Sequence, residues 1–548
     1  MKKVFSILVW PGLILIFVAA VFYFDKTMPI GVDNSFYMDL SALISRGGKF
    51  LIDFFDYRVP LFPLLFSPIY KMGFSDFTNR FLMLFFVYSF YCLALYFISF
   101  SLTHSYKKSF LAALLVFVSI SSRQFDPGRD MAVPLFYHTL ELISLFLLFS
   151  VLVADRIRLS SKKIAHLSLF SGILWAVAFI GRPVHIAVPL ILSGFVIYWL
   201  YKKWQGESIE TSTTATWKRS FQVAVVWLTG LAATTAFVFW VFYVPGVGYL
   251  ALLKKWLLEI PPVIYKTEPL RIVKKFITTF YWGLPEMRNI SLPIFWITYL
   301  VSAASMAIFF FSESAETIGS KTRSFYRQNK KMVLFVLLAG LMAVATVLTT
   351  GSGAKSHEAP FFTLYFFILI LFLSNIGLRK YFKNWWAGLF IAIFLLPQAI
   401  DFAKKEIKIH IIDWGSQEAV SFPERVTDKL KTLVKNKDPV LVLGAYPTVA
   451  RLVEYKPFMG HTNDIFLYSG EKLFGEKYQE DLIKNLDKVN TAYKLIDYPN
   501  LSALSGLRED ETNGTYVYIE NYLKSKFEIA ATIEQNGPNK VTIYKRKR

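Results

Sequence analysis

The residues best suited to chemistry begin with Asp33 and Arg58, which share the longest polar interruption between the first two hydrophobic runs of the chain, GVDNSFYMDLSALISRGGKFLIDFFDYRVPLFPLLFSPIYKMG. A carboxylate at the start of a helix is held by backbone N–H groups and by the positive helix end, and from there it can take a proton from a hydroxyl group. The same place suits an ordinary helix cap, so this loop alone leaves both roles open for Asp33. A guanidinium at headgroup depth can grip a phosphate through paired hydrogen bonds, and it can also simply snorkel to the interface, so Arg58 carries the same ambiguity. Two further loops carry mixed charge. SSRQFDPGRDMAVP holds Arg129 and Asp130, and GSGAKSHEAPF holds Lys355, His357 and Glu358. His138 and Glu141 lie inside a hydrophobic run, where ionisable groups are functional candidates by default and a hydrogen-bonded pair is the structural alternative.

The elements that must position these groups are membrane spans. At 548 residues, 54% apolar and 18% charged, the chain is too hydrophobic for an ordinary soluble protein, and its apolar residues come in blocks of bilayer length. Spans are expected near 4–24, 80–101, 109–122, 131–153, 164–181, 183–201, 219–243, 292–312, 332–350, 360–377 and 384–401, about eleven in all. The first is expected to be an uncleaved anchor, because no small-x-small cleavage site follows it. Basic clusters at 2–3, 107–108, 156–163, 202–219, 321–331 and 379–383 fall on every second connection. The positive-inside rule then puts the N-terminus in the cytoplasm, and the loops of Asp33, Asp130 and His357 all face outward.

This placement also accounts for much of the net charge of +21, since many of the basic residues lie in short loops rather than on a soluble face. Nucleic acid is therefore not an expected partner. Cys92 is the sole cysteine and lies in a hydrophobic run, so the chain forms no internal disulfide.

Within the first outer loop, apolar residues at 36, 37, 40, 43 and 44 predict an amphipathic helix over 34–46 lying flat on the membrane, with Asp33 as its cap and Gly47-Gly48 as its stop. Pro60 and Pro63 open a second apolar helix that re-enters the interface. The chain divides into 1–401, membrane-embedded, and 402–548, a small extracytoplasmic α/β domain. In the latter, 439–444 reads as a strand ending in a turn, 448–455 as a short helix and 541–545 as a last strand. No phosphate-cradling glycine pattern, metal-ligand spacing or nucleophile elbow occurs there, which favours a lid or an acceptor-docking module over an independent enzyme. The connection over 244–290 is basic and aromatic, suited to anionic headgroups or to covering a glycan.

These residues resemble the GT-C class of integral-membrane glycosyltransferases, and within it the family of protein O-mannosyltransferases and lipid A aminoarabinose transferases. The first loop of that family reads as an acidic pair, a Tyr four residues on, a small residue beyond it, and a basic residue before Pro-Pro-Leu. Asp33-Asn34, Tyr37, Ala42 and Arg58-Val59-Pro60-Leu61 fill those places here, with Asn34 in place of the second acid and Val59 in place of the first proline. Arg80 matches the Arg that opens the family's second span, Asp130 the acid of its second outer loop, and His357 the His or Tyr patch before a late span.

The resemblance implies an all-α polytopic bundle in the plasma membrane and a donor sugar linked through phosphate to a polyprenol. It implies Asp33 as the base of an inverting transfer to an acceptor hydroxyl on an envelope lipid, glycan or protein. Arg58, Lys355, His357 and Arg129 would hold the donor phosphate, while Asp130 and Tyr37 orient acceptor, sugar or metal. Members of the class differ in metal dependence, and a divalent ion between Asp33 and Asp130 stays open. The alternatives from other classes are a transporter or flippase of lipid-linked sugars, which would move the lipid unmodified, and a non-catalytic scaffold. The sequence displays no inverted repeat and no pair of broken helices in matching halves, the marks of transport.

Overall fold

The computed structural model describes residues 2–24, 32–48, 59–124, 132–153, 160–182, 193–194, 196–198, 201, 213–242, 331–332, 334–342, 363, 422–433, 440–442, 494–497, 522–534 and 540–547. Its helices are α1 (Lys2–Phe24), α2 (Val32–Ser45), α3 (Leu61–Lys71), α4 (Asp76–Thr103), α5 (Tyr106–Gln124), α6 (Ala132–Val153), α7 (Ser161–Gly181), α8 (Thr213–Val241) and α9 (Phe422–Leu433). Two compact units divide the chain. One comprises Met1–Met28, Phe81–Val241 and Thr267–Lys408, and the other Pro29–Arg80, Phe242–Lys266 and Ile409–Arg548. The second unit joins the stretch Pro29–Arg80 to the C-terminal segment, a grouping that linear order does not display.

Asp76–Thr103, Ala132–Val151, Ser161–Gly181 and Phe221–Val241 are long and apolar enough to cross a bilayer, and Val9–Tyr23 is a shorter apolar helix. The protein is thus a multi-pass membrane protein. α1 and α4 to α8 stand where sequence periodicity expects spans. The spans expected over 292–312 and 384–401 lie outside the described residues, and those over 183–201, 332–350 and 360–377 lie partly outside them.

Burial sorts the helices into central and peripheral. In α6, 83% of the most apolar window is buried, against 22% in α8, whose Phe221, Leu228, Phe237 and Trp240 point outward. A helix of a membrane bundle can present such side chains to lipid at no cost, since acyl chains are as apolar as they are. Phe22 of α1, Tyr88 of α4 and Phe117 of α5 close a three-helix contact, with ring centroids 5.0, 5.9 and 6.0 Å apart. Ile14, Val18 and Phe22 recur every four residues, which keeps this stripe of α1 on its neighbours.

α7 and α8 meet through small residues. A side chain at Gly172 would strike the Trp227 carbonyl of α8, and one at Gly230 would strike the Leu169 carbonyl of α7. Where acyl chains offer no hydrophobic gain, close backbone approach and polar contacts hold helices together. The polar contacts are supplied by Ser171. Its hydroxyl lies 2.7 Å from that of Ser144 on α6 and donates to the Ser144 carbonyl at 3.0 Å, while Trp227 Nε1 donates to it at 3.3 Å.

The C-terminal segment forms a mixed sheet in the order β1 (Val440–Val442), β2 (Lys494–Asp497), β4 (Lys540–Arg546), β3 (Phe527–Glu534). β1 and β2 run parallel, and β4 is antiparallel to both of its neighbours. α9 buries Val426, Thr427 and Leu430 on one face. β1 and β4 occupy the expected strand positions, while the helix expected over 448–455 lies outside the described residues. β2 and β3 were not expected, although Phe527, Ile529 and Ile533 leave a period-two trace, broken by a register shift between Ile529 and Ala531.

Candidate active site

α2 and α3 belong to the polar stretch between the first two apolar helices, α1 and α4. α2 begins at Val32, so Asp33 belongs to its first turn instead of standing just before it, a correction to the helix expected over 34–46 with Asp33 as cap. The first four N–H groups of a helix lack intrahelical acceptors, so first-turn and cap residues share the same positive environment, and the boundary between them is set by backbone dihedrals that composition does not encode.

α2 ends where Gly47 and Gly48 predict. Gly47 takes φ +89°, its N–H bonds the Ile44 carbonyl at 3.0 Å, and the Gly48 N–H bonds the Leu43 carbonyl at 3.0 Å. This is a Schellman closure, which needs a residue free of a Cβ at the left-handed position.

Burial of α2 extends beyond the apolar stripe of the expected amphipathic helix. Tyr37, Leu40 and Leu43 are buried, but so are Asn34, Ser41 and Ala42, so α2 is covered on more than its apolar stripe. Asn34, with 3% of its surface exposed, sits where the resembling family carries a second acid. An amide is far cheaper to bury than a second carboxylate beside Asp33. Tyr37, one turn past Asp33, meets Phe62 of α3 edge-on at 6.2 Å, and Phe62 stacks on Phe66 at 4.7 Å. These rings tie α2 to α3.

α3 follows Val59, which is buried, and Pro60, the N-cap residue. Pro63 in the first turn needs no partner for its missing N–H. Pro68 lies farther in and leaves the Leu64 carbonyl without its usual amide donor, and the Ser67 hydroxyl takes that carbonyl at 2.9 Å. Phe62, Pro63, Phe66 and Ser67 face inward, while Leu64, Leu65 and Met72 are exposed. An apolar helix is present where the Pro60–Pro63 run predicts one.

At the start of α4, the Thr78 N–H bonds Ser75 Oγ at 3.2 Å, and Arg80 lies over the Phe77 ring at 5.5 Å. Arg58, Arg129, Asp130, Lys355 and His357 lie outside the described residues. Among the described residues no three His, Cys, Asp or Glu side chains gather to hold a metal ion.

The intramembrane pair is part of something larger. His138 and Glu141 sit on α6 with side chains 3% and 2% exposed and 3.6 Å between Nδ1 and Oε2, within ion-pair reach but longer than a hydrogen bond. His138 Nε2 lies 2.8 Å from Thr363 Oγ1, and the Tyr91 hydroxyl of α4 lies 2.8 Å from the same oxygen. Sequence reasoning found the pair and missed Tyr91 and Thr363, since a single Tyr or Thr in an apolar run carries no pattern. It also passed over Arg182, which caps the C-terminus of α7, where a cation suits the helix dipole, and is only 7% exposed.

The fold just described is shared with a solved integral-membrane protein. The chain is similar to ArnT from Cupriavidus metallidurans in the apo state at a TM-score of 0.52 and 12% identity, with 97% of each chain covered. ArnT from the same organism bound to undecaprenyl phosphate gives a TM-score of 0.49 at 13% identity over 97% of each chain. The apo oligosaccharyltransferase of Archaeoglobus fulgidus gives 0.44 at 13% identity, with 89% of this chain and 69% of that one covered. No protein-family model and no curated protein matches the sequence.

Proposed function

We propose that this protein is a membrane glycosyltransferase that moves a sugar from a polyprenyl-phosphate-linked donor to an acceptor hydroxyl at the outer membrane face, with inversion. The observation that carries the proposal is the fold shared with apo ArnT along nearly the whole of both chains, joined to the placement of Asp33 in the first turn of the first-loop helix.

In the reaction, Asp33 takes the proton of the acceptor hydroxyl as its oxygen attacks the anomeric carbon from the face opposite the phosphate. The bond from that carbon to the phosphate oxygen breaks, and polyprenyl phosphate leaves. Arg58, with Lys355, His357 and Arg129, stabilises the charge gathering on the leaving group. Asp130 orients the acceptor or sugar. Tyr37 acts through the seating of α2 on α3, since its ring is buried against Phe62. The segment 402–548 serves as a lid or acceptor-docking module.

The test is transfer from a labelled lipid-linked sugar by purified Asp33→Asn protein. Loss of a general base lowers the rate roughly 10²- to 10⁴-fold. Wild-type transfer by a folded Asp33→Asn variant would remove Asp33 as the base. A wild-type protein that relocates the labelled lipid without altering it would replace the transferase with a transporter.

A further inference from the structure

Positive charge collects where β3 starts and β4 ends. The stretches 522–529 and 544–547 carry Lys524, Lys526, Lys545, Arg546 and Lys547 against one carboxylate, Glu528. Strand register brings the two groups together. Phe527 pairs with Arg546 and Glu528 with Lys545, and the Lys547 N–H bonds the Lys526 carbonyl at 2.9 Å. Lys494 of β2 also stands opposite Lys545. Lys524, Lys526 and Lys547 are exposed, while Lys545 and Arg546 are half-buried. Like charges gathered in this way repel and weaken a sheet, and a partner of opposite charge turns that cost into attraction.

The platform beneath them is stiff. Tyr522, Leu523 and Phe527 are buried, and the Tyr522 and Phe527 ring centroids lie 5.8 Å apart. Lys547 Nζ donates to the Lys524 carbonyl at 3.0 Å and to the Ser525 carbonyl at 3.4 Å, and Lys526 Nζ stands 5.4 Å from the centroid of the Tyr522 ring. These contacts fix where the ammonium groups sit without cancelling their charge, because carbonyls and rings are themselves uncharged. Ile529 adds apolar surface, with 64% of its area exposed, and it pairs with Tyr544 on the strand face that also bears Arg546. Cations on aliphatic stems, a tyrosine and an exposed isoleucine suit a membrane interface, where charge meets phosphate and apolar atoms meet the acyl boundary. An anionic glycan would offer the charge partner and no apolar one.

We propose that this end of the C-terminal sheet, 524–529 with 544–547, docks on anionic lipid headgroups of the bilayer that the apolar helices cross. Covalent continuity with those helices keeps the segment within reach of the surface, so each cation adds attraction without a separate encounter. The docking goes beyond sugar transfer and does not depend on it.

The probe is the full-length protein in nanodiscs of phosphatidylcholine alone or of an equal mixture of phosphatidylcholine and phosphatidylglycerol, with hydrogen exchange read over 522–534 and 540–547. Exchange is expected to be at least about fivefold slower in the mixed lipid, the effect of a single lysine near an anionic surface. Salt at about 1 M is expected to abolish the difference. Lys524→Gln combined with Lys526→Gln should remove the lipid dependence, and Lys524→Arg combined with Lys526→Arg should keep it.

Equal exchange of the wild type in the two lipids overturns the proposal, as does full lipid dependence in the folded Gln variant. Stronger protection by soluble dextran sulfate in phosphatidylcholine nanodiscs also overturns it, because the partner would then be an anionic glycan. A variant that unfolds exchanges fast in both lipids, and the lipid and salt dependence of the wild type then decides alone.

Discussion

Replacing Gly172 with Ala should loosen the α7–α8 contact measurably. A Cβ built on Gly172 would lie 2.2 Å from the Trp227 carbonyl oxygen and 3.1 Å from both the Trp227 carbonyl carbon and the Leu231 nitrogen. Ordinary carbon–oxygen contact begins at about 3.3 Å, so the helices must part there by roughly 1 Å. The obstacle is backbone on a packed helix and cannot swing away as a flexible side chain would. Overpacking of this kind costs about 1–3 kcal/mol.

A second loss follows from the neighbours. Trp227 Nε1 reaches Ser171 Oγ at 3.3 Å, near the limit of a hydrogen bond, and a further 1 Å breaks it. A buried N–H left without a partner adds about 1–3 kcal/mol. The combined effect is about 2–6 kcal/mol.

Gly194 supplies the control, because a Cβ there meets nothing within 4 Å. Gly194→Ala should leave stability unchanged or improve it by up to about 1 kcal/mol through helix propensity. The assay is monodispersity of detergent-purified protein after graded heating, read as an apparent melting temperature at one fixed heating rate, since unfolding of such proteins is irreversible. Equal melting of Gly172→Ala and wild type would refute the close-packed α7–α8 interface.

Two further outcomes are expected. Gly47→Ala should cost about 1–2 kcal/mol and speed hydrogen exchange in α2, because the left-handed φ of +89° penalises a Cβ, while exchange in α8 stays as in wild type. Arg58→Ala should raise the donor KM far more than the acceptor KM in a transfer assay, and an unchanged donor KM would return Arg58 to interfacial snorkelling.

Several features of the site were legible in the chain alone. Gly47-Gly48 marked the end of α2, because the left-handed turn tolerates few other residues. The Pro60–Pro63 run marked the start of α3, since a proline ring fits only the first turn without help from a neighbour. The ionisable pair of α6 stood out because charge is rare at bilayer depth. The start of α2 was misplaced because several residue types suit a first turn equally well. Its burial was underestimated because an amphipathic pattern registers the apolar stripe and not what later covers the polar side.

By itself, the sequence determined the solvent, the helical class of the membrane portion and the positions of α1 and α4 to α8, because a bilayer core demands apolar runs of fixed length with every backbone group bonded inside the helix. It also put an aspartate at the N-terminal end of the helix in the first loop. Tertiary structure decided which helices are central and which face lipid, since α6 and α8 are both apolar and differ only in what surrounds them. It decided that Ser144, Ser171 and Trp227 share one hydrogen-bonded contact, and that Tyr91, Thr363 and His138 meet. Such contacts join residues far apart in the chain, and pairings of that kind depend on how helices pack, which local periodicity does not record.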